Sequence, residues 1–171
     1  MTDQELQNLQ MYIGKRSQNQ TDKQVTAHIK KIDNQTPLTD EEWHKLIYPC
    51  CNCGYVEILK FILAHLTSLK DVKKYMIHTV YGRNESLDEQ RIEILKELLQ
   101  YVTENKSDCL NETMIDAGWF GETKIVKFLV ENGADINYKD ENALGLLECA
   151  ERAEKQFDDC SLKEYLLKLH G

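Results

Sequence analysis

Apolar residues recur every three or four positions along most of the chain, a spacing that predicts helices rather than strands. Two short helices are expected within residues 1–35, one with an apolar stripe that ends at Ile13 and one whose stripe begins at Val25. The polar residues 17–20 separate the two stripes. The first part of the chain is therefore predicted to be a helix pair.

The next helix is predicted to begin after Thr39. Thr39 and Glu42 have the spacing of a capping box, in which each side chain binds the free backbone amide of the other residue. From Trp43 onwards, apolar residues at helical spacing form one face, and Pro49 lies inside that run. Gly54 is expected to end this helix, so that a tight turn and a second apolar helix follow.

The same order of helix, turn and helix returns along the rest of the chain. Residues 71–81 repeat the first helix, and residues 82–90 are longer than the neighbouring turns, which indicates an insertion. Further helices are predicted over 110–120, 143–153 and 162–170.

Pairs of small residues give the period of this pattern. Three such pairs start 67 and 32 positions apart: Cys50-Cys51, Ala117-Gly118 and Cys149-Ala150. Both spacings point to a unit of about 33 residues, in which each helix pair must stack on its neighbours to bury its apolar face. Small residues are needed where successive inner helices pack most closely.

Residues 117–137 form the clearest unit, with a small pair, Gly121, an amphipathic run that includes Ile125-Val126, and Gly133 where a left-handed helix cap needs a residue without a β-carbon. This stretch, which ends in Gly-Ala-Asp-Ile-Asn, resembles the second half of an ankyrin repeat. The resemblance implies an all-α fold, an ankyrin-like α-solenoid of stacked helix-turn-helix repeats with short hairpin loops. We expect an N-terminal helical cap over residues 1–35 and about four repeats over 36–171, all in a single structural unit: 36–70, 71–108, 109–140 and 141–171.

The resemblance also implies a binding surface. Trp119 and Phe120 occupy the two variable positions that, in ankyrin proteins, end the inner helix and face the concave groove where partners dock. Adjacent side chains on a helix point about 100° apart, so at least one of the two aromatic rings is expected to be exposed. The alternative for Trp119 is packing under the insertion at 82–90. Equivalent positions in other units, and residues expected on the same side, complete the predicted partner-binding set: Tyr81, Asn52, Asp116, Tyr138, Asp140, Glu151 and Arg152.

The chain is acidic, with 21 Lys and Arg against 29 Asp and Glu and a net charge of −8. This balance disfavours nucleic acid and anionic membrane surfaces, and makes a basic protein the better electrostatic match. No apolar window is long enough to span a membrane, and the first residues do not resemble a secretory signal. We therefore expect a protein of a reducing, cytoplasmic compartment, or of a host cell if it is a secreted effector. The sequence leaves the oligomeric state open and favours a monomer.

The six cysteines offer one alternative chemistry. Cys50 and Cys53 have CxxC spacing, which occurs in zinc and dithiol redox sites, but no second ligand pair follows. Cys53 is expected to face outward, whereas Cys109, Cys149 and Cys160 are interpreted as small apolar fillers. No nucleophile, phosphate-binding or metal motif is present, so we expect no cofactor, no metal and no enzymatic activity.

The function predicted from the sequence is binding of a partner protein through the concave face, as an inhibitor, an immunity protein or an adaptor. The alternative is a pathogen effector that binds a host protein. A metal or redox protein that uses Cys50 and Cys53 is a lower alternative.

Overall fold

The computed structural model of the protein describes residues 1–15, 20–81 and 85–170. Within these residues the chain is helical and no strand occurs, which confirms the predicted all-α class. The α-helices are α1 (Asp3–Gly14), α2 (Asp22–Gln35), α3 (Asp40–Cys53), α4 (Val56–Leu63), α5 (Val72–Val80), α6 (Asp88–Leu99), α7 (Lys106–Trp119), α8 (Thr123–Glu131), α9 (Leu146–Phe157) and α10 (Ser161–His170). None of them has the length and apolar character that a membrane crossing requires.

The chain divides into two compact units, Met1–Asp71 and Val72–Gly171. In the first unit α1 packs against α3, α2 packs against α4, and α3 also packs against α4. The predicted capping box is confirmed, because the backbone amide of Thr39 donates to Glu42 at 2.8 Å and the amide of Glu42 donates to Thr39 at 3.3 Å. Gly54 ends α3 in the left-handed conformation, as predicted.

In the second unit the helices form two rows. Helices α5, α7 and α9 pack in one row and α6, α8 and α10 in the other, so that each helix pair stacks on the next. The small pair at 117–118 lies where α7 meets α9. A β-carbon added to Gly118 would lie 2.9 Å from Cδ2 of Leu146 and 3.2 Å from Cβ of Cys149, which explains why this position needs a small residue.

Two helix starts differ from the prediction. Helix α7 begins at Lys106 rather than at 110, directly after Asn105 in the left-handed conformation. Helix α9 begins at Leu146 rather than at 143, because Ala143 has a φ of 60° and cannot lie in a right-handed helix. Near each helix start a residue other than glycine adopts a positive φ, and the apolar spacing of the sequence does not predict this.

Two other predictions fall mainly outside the described residues. Of the polar stretch 17–20, only the last residue is described, and residues 82–84 of the insertion are not. The described part of the insertion is a 3-10 helix, Glu85–Leu87. Residues 88–90, predicted to belong to the insertion, form the first turn of α6 instead.

The connection between α8 and α9 consists of turns. Gly133 has a φ of 103°, which confirms the predicted left-handed cap, and the amide of Ala134 returns to the carbonyl oxygen of Leu129 at 3.0 Å. A further turn joins the amide of Tyr138 to the carbonyl oxygen of Asp135 at 2.9 Å.

Candidate protein-binding surface

Trp119 and Phe120 lie where α7 ends. The helix stops because Gly121 adopts a φ of 73° and the amide of Glu122 turns back to the carbonyl oxygen of Ala117 at 2.9 Å. Since Ala117 and the glycine after it are buried, the two aromatic rings leave the buried side of the helix. The Trp119 side chain is 37% exposed, and Phe120 is half-buried.

Phe120 packs against Tyr81. The two ring centroids are 5.2 Å apart with an interplanar angle of 66°, an edge-to-face contact that aromatic pairs prefer. Tyr81 itself is 66% exposed. Its carbonyl oxygen accepts a hydrogen bond from Arg91 at 3.4 Å, and Arg91 also forms a buried ion pair with Glu122 at 3.0 Å. A buried charge pair thus holds both the Tyr81 backbone and the turn that follows Phe120.

Trp119 is stacked on Arg152 of α9. The guanidinium carbon lies 3.8 Å from the centroid of the indole ring, and the guanidinium also donates a hydrogen bond to the carbonyl oxygen of Trp119. The same guanidinium lies 5.7 Å from the ring of Phe157. These contacts hold the indole in one orientation while leaving part of it exposed.

The α7 face combines the aromatic rings with acidic groups. Glu112, Asp116, Trp119 and Phe120 follow one another at positions i, i+4, i+7 and i+8, so they share one side of α7. We use "α7 face" for these four residues.

An acidic cleft of about 300 Å³ opens beside the carboxylates of the α7 face. Glu112 and Asp116 line it from the helix, and Tyr138, Asp140 and Glu141 line it from the loop between α8 and α9. Four carboxylates therefore converge around one tyrosine.

Hydrogen bonds to side chains hold that loop in place. The buried side chain of Asn111 accepts the amide proton of Asp135 at 2.7 Å, which ties the start of the loop to α7. Farther along, the Asp140 carboxylate accepts the amide protons of Asn142 and Leu144, both at 2.8 Å. These hydrogen bonds fix the backbone of the loop that carries Asp140 and Glu141.

The pKa values of two carboxylates of the acidic cleft are shifted in opposite directions. The amide of Leu144 holds the pKa of Asp140 below its ordinary value. Burial raises the pKa of Asp116, and the nearby charges of Glu112 and Asp140 raise it further. Glu112 forms an ion pair with Lys73, with 2.9 Å between the charged atoms. A cation in the cleft would reduce the repulsion between Asp116 and the neighbouring carboxylates.

Residues 117–141 match the family model for the ankyrin repeat. This segment is therefore similar to an ankyrin repeat. It contains Trp119 and Phe120 at the end of the inner helix and the loop residues of the acidic cleft. The comparisons with curated proteins and with solved structures found no match. Ankyrin repeats are protein–protein interaction modules and are typically non-enzymatic.

The structure distributes the predicted partner-binding residues over both units. Asn52 is exposed on α3 of the first unit. In the second unit, Glu151 is exposed next to the arginine that covers Trp119. The other predicted residues of this unit fall into three groups around the ankyrin repeat: Tyr81 with Phe120, Trp119 with Arg152, and Asp116 with Tyr138 and Asp140.

Several residues of this surface were not predicted from the sequence. Glu112 and Glu141 complete the acidic cleft, and the Arg91–Glu122 pair supports Tyr81. Glu112 could have been found, because it lies one helical turn before Asp116. Arg91 begins the apolar stripe of α6, a position where a charged residue signals a buried partner.

The cysteine environments do not favour thiolate chemistry. Cys50 is fully buried, and burial raises its pKa well above the ordinary value. Cys53, expected to face outward, is half-buried, and burial raises its pKa as well. No group of three or more metal-ligating side chains occurs in the described part of the chain. Cys109 and Cys149 are buried fillers as predicted, but the prediction for Cys160 is wrong, because it is exposed.

Proposed function

We propose that the protein binds another protein through the α7 face and the residues around it, and that it acts as an inhibitor, an immunity protein or an adaptor. The observation that carries the proposal is the pair of partly exposed aromatic rings in the ankyrin repeat, each held by a second side chain. Trp119 rests on Arg152 and Phe120 on Tyr81.

Rigid aromatic groups on a surface are suited to be interface anchors. Tryptophan, tyrosine and arginine are enriched among the residues that contribute most to binding. Because Arg152 and Tyr81 already restrict the two rings, a partner loses less side-chain entropy when it orders them. The aromatic part of the α7 face is therefore proposed as the energetic centre of the interface.

The acidic cleft indicates the chemistry of the partner. Two of its four carboxylates, Glu112 and Asp116, share the α7 face with the aromatic rings, and the whole chain carries a net charge of −8. A partner with a lysine or arginine next to an apolar patch would match both features, and attraction between opposite charges would accelerate its association at low salt. A cation in the cleft would also lower the raised pKa of Asp116, so binding is expected to weaken as the pH falls through that pKa.

An acidic protein of this kind could inhibit a basic enzyme by covering one site on it. A pathogen effector that engages a basic host protein would use the same face in a different cell. The identity of the captured protein distinguishes these roles: a toxin encoded beside the gene indicates immunity, and a protein of another organism indicates an effector.

Comparative affinity capture from the native cell tests the proposal. The baits are the wild type, a Trp119→Ala and Phe120→Ala double variant, and Tyr101→Ala as a control whose side chain is 39% exposed, close to the 37% of Trp119. We expect a partner that the wild type and the control both retain and the double variant loses. Circular dichroism melts verify that all three baits are folded. Identical captured proteins for all three would contradict the assignment of this surface.

A further inference from the structure

Arg152 is a half-buried arginine of α9 that lies beside the α7 face. Its Nη1 atom donates a hydrogen bond to the carbonyl oxygen of Trp119. Within the described residues, neither Nε nor Nη2 of Arg152 has an acceptor, and no carboxylate forms an ion pair with the guanidinium. Arg152 therefore keeps an unpaired positive charge in a chain whose net charge is −8. By contrast, Arg91 in the same unit is buried against Glu122.

The carboxylate best placed to pair with Arg152 is engaged elsewhere. Glu148 lies one helical turn before Arg152, at the i, i+4 spacing at which opposite charges on a helix attract each other. Its carboxylate instead accepts the amide proton of Gly145 at 3.1 Å and pairs with Lys139 at 3.0 Å. The cap of α9 thus uses the group that would otherwise neutralise Arg152.

Two aromatic rings hold the guanidinium in one place. The guanidinium carbon lies 3.8 Å from the ring centroid of Trp119 and 5.7 Å from that of Phe157. The rings exclude water from part of the guanidinium but cannot neutralise its charge. A planar guanidinium presents parallel N–H groups that match the two oxygen atoms of a carboxylate. Because Arg152 is already restricted, it loses less entropy than a free arginine when such an anion binds.

We propose that Arg152 binds an aspartate or glutamate side chain of the partner protein, next to the apolar group that packs on Trp119. This inference rests on the proposed function, since it names a second chemical feature of the same partner. The surface of the partner then combines a cation for the acidic cleft, an apolar group for Trp119 and a carboxylate for Arg152.

A carboxylate fits this site better than a phosphate group does. Proteins recognise phosphate groups on other proteins with clusters of arginines. At this site a single guanidinium is preceded by the exposed Glu151, whose negative charge repels a dianion more strongly than a monoanion.

A nuclear magnetic resonance titration of the isotope-labelled chain tests the carboxylate site without the partner. The probe is phenylacetate, which carries a carboxylate beside an aromatic ring, and the matched neutral probe is phenylacetamide. We expect phenylacetate to shift the Nε–H signal of Arg152 and the indole N–H signal of Trp119, and to bind about tenfold more tightly than the amide. The signals of Arg91 and Trp43, which are both buried, are internal controls and should not move.

Two substitutions separate recognition of the carboxylate from support of the Trp119 ring. Arg152→Gln should make the Kd values of the two probes equal, whereas a merely supporting role would change both values together and keep their ratio. Lys168→Gln removes one positive charge from an exposed residue of α10 and should retain the tenfold preference.

Three results would overturn the proposal: equal binding of the two probes by the wild type, a preference for phenylacetate that survives Arg152→Gln, or tighter binding of phenyl phosphate than of phenylacetate. The titration involves no partner, so each of these results leaves the capture experiment with Trp119→Ala and Phe120→Ala to decide the proposed function by itself. Conversely, a failed capture would not alter the measured preference for the carboxylate.

Discussion

At the scale of single residues, Gly118 determines how closely two helices approach. An added β-carbon would lie 3.2 Å from Cβ of Cys149, which is too close for an ordinary contact, and 2.9 Å from a methyl carbon of Leu146. The residue before it, Ala117, is fully buried on the same helix. The small pair is therefore a requirement of packing between α7 and α9.

Gly118→Val is expected to lower the free energy of unfolding by about 1–3 kcal/mol, because the branched side chain would force α7 and α9 apart. Urea denaturation followed by circular dichroism measures the change. Gly14→Ala is the control, since a β-carbon there would lie 3.7 Å from Pro49 in an ordinary contact. Equal effects of the two substitutions would show that the approach at Gly118 is not tight.

Asp116 is a residue whose charge opposes folding. Burial raises its pKa above the ordinary value of 3.8, so the folded chain holds this proton more tightly than the unfolded chain does. Below pH 3.8 the carboxyl is protonated in both states and does not affect the free energy of unfolding. As the pH rises from 3.8 through the raised pKa, the unfolded chain loses this proton first, so the folded chain becomes less stable.

Asp116→Asn is expected to raise the Tm at neutral pH and to leave it unchanged at a pH below 3.8, where the native carboxyl is protonated in both states. Thermal melts of the two proteins across the acidic range measure this difference. An equal change of the Tm at both extremes would mean that the effect comes from packing and not from charge.

At the scale of elements, the buried Arg91–Glu122 pair connects α6 to the turn between α7 and α8. The two side chains are 3% and 1% exposed, and their charged atoms are 3.0 Å apart. Removing one member of such a pair leaves a charge in the interior, which costs more than the pair itself contributes.

Glu122→Ala is expected to lower the free energy of unfolding by about 3–5 kcal/mol. An Arg91→Met and Glu122→Leu double variant should recover much of that loss, because neither charge then remains buried. Urea denaturation of the two variants provides the comparison. A double variant less stable than Glu122→Ala would contradict this account of the pair.

Helix order and helix faces could be predicted from the sequence, whereas some helix boundaries could not. Periodic apolar positions and the glycines at 54 and 133 indicated α3, α4 and α8 correctly. The start of α9 depends on the Asp140 carboxylate, which binds two backbone amides and holds the chain in a turn up to Gly145. A carboxylate that caps its own loop leaves no periodic signal, so the helix was placed too early.

The candidate site was predictable in part. The adjacency of Trp119 and Phe120 was enough to predict an exposed aromatic ring, and Trp119 is 37% exposed. Its contact with Arg152, 33 positions later, depends on how neighbouring helix pairs stack. The Arg91–Glu122 pair joins elements 31 positions apart, and charged residues carry no sequence signal of which opposite charge they meet.

At the scale of the whole molecule, charge is distributed unevenly. The chain carries a net charge of −8, and four of its carboxylates line the acidic cleft of the second unit. The second unit thus has a surface suited to a basic partner, and part of that surface belongs to the ankyrin-like segment 117–141.

The most direct test of the central claim is the Kd of the captured partner for three purified proteins, measured by isothermal titration calorimetry. The account predicts that Trp119→Ala raises the Kd by about thirtyfold or more, since loss of a central aromatic anchor costs about 2 kcal/mol or more. Tyr101→Ala should bind with the Kd of the wild type. Equal Kd values for Trp119→Ala and the wild type would contradict the claim that the α7 face binds the partner.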